Sequence, residues 1–214
     1  MANRQDHLIV FIITTLVFIV GIFSGITISK NKMTTIDSKI TDFEENMNSI
    51  ELGVLISDAL KNETLSCKYL QGKLNETQSL LSELGEQVVQ YESQSKIGDE
   101  AYKEVKKRYN AVRTQYWLML EKLKNQCSNN YTTILYFYRT ETPCPACRDQ
   151  GVILTHLTTN NPDIYVVSVD ADEDLLLIQM IKEAYNVNST PTIVIDASTI
   201  RTGLVSREEL LSLI

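Results

Sequence analysis

Residues 142–151 read TPCPACRDQG, and the cysteines in that stretch, Cys144 and Cys147, stand three apart with Pro145 and Ala146 between them. That spacing serves three chemistries. Two thiols about one helical turn apart can cycle between dithiol and disulfide. They can supply half of a zinc site. They can also form a permanent staple, although a loop so short gains little in chain entropy. A helix-like stretch runs from Cys147 to about Thr158, which places Cys144 at its mouth. There, unpaired backbone N–H groups and the helix dipole favour negative charge, so a thiol ionises more readily than a free one. Pro145 at the first helical position loses no hydrogen bond and fixes the entry angle, and Arg148 adds positive charge nearby.

The elements that must position this pair are legible on both sides of it. YTTILYFY, 131–138, is β-branched and aromatic without polar alternation, the pattern of a strand covered on both faces. After the cysteine helix come a strand-like run IYVVSVD, 164–170, and a helix EDLLLIQMIKEAY, 173–185. Two short strands, 193–196 and 199–202, are joined by a turn, and SREELLSLI closes the sequence as a helix with Ser206 as N-cap and Glu209 at the capping-box position. The expected order is β-α-β-α-β-β-α. Its first two strands should be parallel across a helical crossover and its last two a hairpin in the same sheet.

An apolar strand, Cys-Pro-Ala-Cys at the mouth of a helix, and Thr190-Pro191-Thr192 opening a later strand together resemble the thioredoxin superfamily. The likeness is to its compact form, which lacks an extra N-terminal strand and helix, and covers residues 131–214. The resemblance implies an α/β thioredoxin-like fold and a thiol-disulfide exchange in which Cys144 attacks and Cys147 resolves the mixed disulfide. It also implies a cis Pro191 beside the cysteines, with the backbone of Thr190 free to pair with an extended substrate chain. No bound cofactor is required. The sequence departs from the family in two ways: Pro143 stands where many members have Trp, and TTILYFY lacks the acidic residue that in several members accepts the resolving thiol's proton. The nearest carboxylate, Glu141, lies in a loop, where a solvated side chain competes with a relay role.

Upstream, residues 7–29 (HLIVFIITTLVFIVGIFSGITIS) carry no Asp, Glu, Lys or Arg and are long enough to cross a hydrocarbon core of about 30 Å. Residues 1–30 are therefore expected to be an uncleaved transmembrane signal anchor, with residues 8–28 in the membrane. A polar region with apolar residues at alternating spacings of four and three follows and predicts helices near 34–60, 64–93 and 99–126. The last two are joined by the short polar SQSKIGD, which predicts an antiparallel hairpin, 64–126, in a coiled-coil-like stalk spanning 31–128. The resemblance then implies a thioredoxin-like domain over residues 129–214.

Cys67 lies thirty residues before Ile97 and Cys127 thirty after it, so folding about that turn returns them to one level. A disulfide there would stabilise by roughly 4 kcal/mol, and the alternative is two unrelated reduced thiols. With those cysteines paired, and His7 at the membrane end and His156 within the cysteine helix the only histidines, no metal is expected.

A bridged hairpin implies an oxidising compartment and an extracytoplasmic C-terminal domain on a single-pass membrane protein. Lys30, Lys32 and Lys39 after the span, against Arg4 before it, point the other way. Sequons at Asn62, Asn75, Asn130 and Asn188 are compatible with the outside and add little. The net charge of −7, with no basic stripe, excludes a nucleic-acid binder. The sequence thus predicts a membrane-anchored extracytoplasmic thiol-disulfide oxidoreductase that acts on cysteine-containing client proteins and is recharged by a redox partner. The competing class is a membrane-tethered interaction protein with an idle cysteine pair, and the stalk could make a homo-oligomer.

Overall fold

The computed structural model describes residues 11–27, 41, 55, 63–94, 98–127, 129–140 and 142–214. Its contacts divide the chain into two units, 1–46 and 47–214. In the first unit residues 11–27 are helical (α1), with apolar side chains exposed throughout. Among the described residues no helix is long and apolar enough to cross a membrane, so the transmembrane helix expected over 7–29 is not found there. Residues 7–10, 28 and 29 lie outside the described residues, as does the helix expected over 34–60 apart from residues 41 and 55, both helical.

The second unit is built from α2 (Glu63–Ser93), α3 (Glu100–Cys127), β1 (Thr132–Tyr138), α4 (Pro145–Asn160), β2 (Ile164–Asp170), α5 (Leu176–Ala184), β3 (Thr192–Ile195), β4 (Thr199–Thr202) and α6 (Arg207–Leu213). The strands form one sheet in the order β2-β1-β3-β4. β1 pairs parallel with β2 and antiparallel with β3, and β3 with β4 antiparallel. The unpolarised run of β1 has its cause in this order, because a central strand is covered on both faces. Ile134 and Tyr136 point to one face, against Leu154 and Leu157 of α4 and Leu210 of α6. Leu135 and Phe137 point to the other, against α3 and Ile178 and Ile181 of α5. Ser206 caps α6 by accepting from the Glu209 N–H.

α2 and α3 run antiparallel: Tyr91 and Tyr102 meet near the turn, with ring centroids 6.1 Å apart, and Cys67 and Cys127 are joined at the open end. Leu70, Leu74, Leu84 and Val88 of α2 pack on Val105, Val112, Tyr116 and Leu120 of α3, so the seam closes within one chain. The hairpin, expected as a helical stalk ahead of the sheet module, also packs on that module: α3 lies against β1, β2 and α5. The physical reason is a second buried ridge on α3, made of polar residues spaced three and four apart. Lys106 pairs with Asp170 at 2.6 Å, Asn110 donates to Glu173, Glu121 accepts from Thr133 Oγ1, and Lys124 pairs with Asp196 at 2.5 Å. Trp117, in the same ridge, stands edge-on to Tyr185. These ties reach β1, β2 and the loops after β2 and β3, and they give the outer face of β1 a cover that α5 alone would leave incomplete.

Candidate active site

Cys144 is the N-cap of α4, and Pro145 begins the helix. Its Sγ accepts from the Cys147 N–H at 3.2 Å, and its carbonyl accepts from the N–H groups of Cys147 and Arg148. Cys144 is half-buried, whereas Cys147, one turn along, is 6% exposed. The two form a disulfide with 5.2 Å between their Cα atoms. Helix geometry thus leaves one sulfur accessible and hides its partner.

The other wall comes from the chain before β3. The Thr190–Pro191 peptide bond is cis, and the Thr190 carbonyl oxygen lies 3.8 Å from Cys144 Sγ. In the disulfide that sulfur has no proton to donate; in the dithiol it does. Two bonds hold the segment: Thr192 Oγ1 donates to the Ser189 carbonyl, and the Gly203 N–H donates to the Pro191 carbonyl at 2.8 Å. Gly203 makes its bond at φ +90°, a conformation that favours glycine. Thr190 and Pro191 are therefore brought to the cysteine pair, while Cys67 and Cys127 sit at the hairpin's open end.

Behind the disulfide is a cavity of about 340 Å³ lined by Arg113, Tyr136, Tyr138, Arg139, Cys144, Cys147, Arg148, Gly151 and Ser168. The Tyr136 hydroxyl donates to the Cys147 carbonyl. Arg113, whose guanidinium stacks 4.4 Å from the Tyr109 ring centroid, is within hydrogen-bond reach of the Tyr138 hydroxyl. Burial pushes Tyr138 above the ordinary tyrosine value, against the opposing pull of Arg113. The loop that leads to Cys144 is pinned beside the cavity. Thr140 Oγ1 donates to Asp170 and accepts from Lys106, and the Thr140 N–H donates to Asp172. Burial opposes the Lys106 ammonium, but the hydrogen bond and charge of Asp170 outweigh it and hold its pKa above the lysine value.

Sequence reasoning missed Arg113, Tyr136, Tyr138, Arg139, Ser168 and Lys106. The tyrosines read as strand core, and the helix that carries Arg113 and Lys106 was read only through its apolar stripe. Glu141 lies outside the described residues. His156 is exposed on α4 beside Asn160, and among the described residues no group of three or more His, Cys, Asp and Glu could hold a metal ion. Asn75, Asn130 and Asn188 are exposed, and Asn62 lies outside the described residues.

The buried tyrosines carry a pH consequence. Burial, with a smaller contribution from Tyr138, pushes Tyr136 up to about 12 from 10.0, and burial, with Tyr165, pushes Tyr116 to about 12. The folded state holds these protons more tightly than the unfolded chain. Their contribution to stability is fully present below pH 10 and is lost as pH rises toward about 12. Denaturant midpoints measured at pH 8, 10 and 12 should therefore be level between the first two and fall steeply by the third; a level profile to pH 12 would contradict this.

No protein-family model matches the sequence, and no curated protein matches it. Solved structures do. Thioredoxin-2 of a malaria parasite, described as a component of that parasite's protein secretion machinery, is 27% identical, with 40% of this chain and 82% of its own covered, at a TM-score of 0.34. Fasciola hepatica thioredoxin is 23% identical over 45% of this chain and 89% of its own, at 0.36. Mitochondrial thioredoxin 3 from Saccharomyces cerevisiae, in its oxidized form, is 25% identical over 44% and 87%, at 0.34. On its own strand order, with Cys-Pro-Ala-Cys opening α4 and a cis proline opposite, the region from β1 to α6 has a thioredoxin-like α/β fold, preceded by helices.

Proposed function

We propose that this protein is a membrane-anchored, extracytoplasmic thiol-disulfide oxidoreductase acting on protein cysteines through Cys144 and Cys147. The observation that carries the reading is the disulfide at the start of α4, with its outer sulfur half-buried beside the Thr190 carbonyl and its inner sulfur hidden. When the pair is reduced, the Cys144 thiolate attacks one sulfur of a client disulfide, and the client's other sulfur leaves as a thiolate that takes up a proton. The Cys147 thiolate then attacks Cys144 Sγ and releases the second client thiol, so two electrons have passed to the client and the protein ends as the disulfide. The reverse sequence oxidises a client dithiol. The Cys147 N–H directed at Cys144 Sγ and the positive end of α4, whose first turn holds no acidic residue, favour the attacking thiolate. An extended client strand would pair with the backbone of Thr190 ahead of the cis Pro191.

The anchor rests on the uncharged run 7–29, and the compartment on the Cys67–Cys127 bond, which an oxidising environment sustains. A separate redox partner resets the pair. The test is stoichiometric exchange: the full chain, reduced and freed of reductant, is mixed with a disulfide-linked peptide, and the oxidised chain with a dithiol peptide. Transfer of one disulfide per chain in at least one direction is expected. No transfer in either direction would favour an interaction protein with an idle pair.

A further inference from the structure

The cavity behind the disulfide is strongly cationic in a protein that is acidic overall. Three guanidiniums reach it from three elements: Arg113 from α3, Arg139 from the loop after β1 and Arg148 from α4. Among the described residues that line it there is no carboxylate, although the whole chain carries a net charge of −7. Among the described residues Arg113 and Arg148 have no carboxylate within ion-pair distance. Arg139 reaches Asp172 only at 4.0 Å, and its Nε is buried without a hydrogen-bond partner. Cys144 and Cys147 line the same space.

From this juxtaposition we infer that the cavity is a subsite for an acidic client: it takes the carboxylate of an Asp or Glu flanking the reacting cysteine. At about 340 Å³ the space lies at the low end of ligand pockets, roughly 300–1,000 Å³, and suits one or two side chains. A client sulfur bonded to Cys144 carries its chain neighbours to the rim of the cavity, where guanidiniums offer paired donors to a carboxylate. Arg148 is exposed, and Arg139 and Arg113 are partly buried, with Arg113 held by Tyr109 and Tyr138. The hairpin therefore contributes to client choice as well as to packing.

The inference rests on the oxidoreductase reading, and the test separates the two. Disulfide-linked fluorophore–quencher peptides, identical except for Asp, Asn or Lys beside the cysteine, are mixed with the reduced full chain, and second-order exchange rates are compared. The Asp peptide should exceed the Asn peptide by roughly tenfold at low salt, with the Lys peptide slowest. In 1 M salt, where the screening length is about 3 Å, the three rates should converge. The doubly substituted Arg139→Gln, Arg148→Gln chain should lose most of the preference, and because the result is a ratio between peptides, any change in the intrinsic reactivity of Cys144 cancels. Equal rates for all three peptides on the unsubstituted chain would overturn the subsite and leave the oxidoreductase intact. Exchange with none of them would overturn both.

Discussion

In the Cys147→Ser protein, client chains accumulate as mixed disulfides on Cys144; in the Cys144→Ser protein, none does. This asymmetry follows from burial. Cys144 is half-buried at the helix mouth and Cys147 is 6% exposed, so a macromolecular disulfide reaches only the first. Without Cys147 the mixed disulfide lacks the thiolate that resolves it from 5.2 Å of Cα separation, and the intermediate persists. Without Cys144 the remaining thiol lies under the first turn of α4, with its carbonyl held by Tyr136. Multiple-turnover exchange should fall by about a thousandfold in each variant, as expected when residues acting as a unit lose one member. Non-reducing electrophoresis and mass spectrometry distinguish the two. Capture through Cys147 would reverse the assigned roles, and capture by neither variant would remove the covalent mechanism.

The disulfide-forming pair could be read from four residues because its local rules are strict. Pro145 and the small Ala146 fit a first helical turn, and the turn itself sets the distance between Cys144 and Cys147. β1 was legible for a related reason: a strand buried on both faces has no polar alternation to disguise it. α3 shows where this kind of reading stops. Its apolar stripe, Tyr102 to Leu123, announced the contact with α2, but its contact with the sheet is carried by Lys106, Asn110, Glu121 and Lys124. On an isolated helix such residues describe a solvated face. They become an interface only when Asp170, Glu173, Thr133 and Asp196 arrive from the strands and their loops, and no local pattern shows that complementarity. The same blindness hid Arg113, a cation on that helix that reaches the cavity behind Cys147.

The division of labour on α3 shapes the other large effect, expected when Cys67 and Cys127 are both replaced by Ala. The bond joins residues separated by 60 positions. In the chain-entropy model, releasing that loop in the unfolded state costs about 4 kcal/mol of stability, against roughly 1.6 kcal/mol for the three-residue separation of Cys144 and Cys147. The loss should fall unevenly across the hairpin. α3 keeps its ion pairs with Asp170 and Asp196 after the bond is gone, whereas α2 is left with its apolar seam against α3 and a few contacts such as Glu92 with Tyr102. Hydrogen-exchange protection should therefore drop first along α2, while β1 and α4 stay protected up to global unfolding. Guanidinium unfolding of the double variant beside the parent chain measures the total, and exchange mass spectrometry locates it. A loss below about 1 kcal/mol would mean that the reduced hairpin is already held as compactly as the bridged one, and that the bond contributes something other than stability.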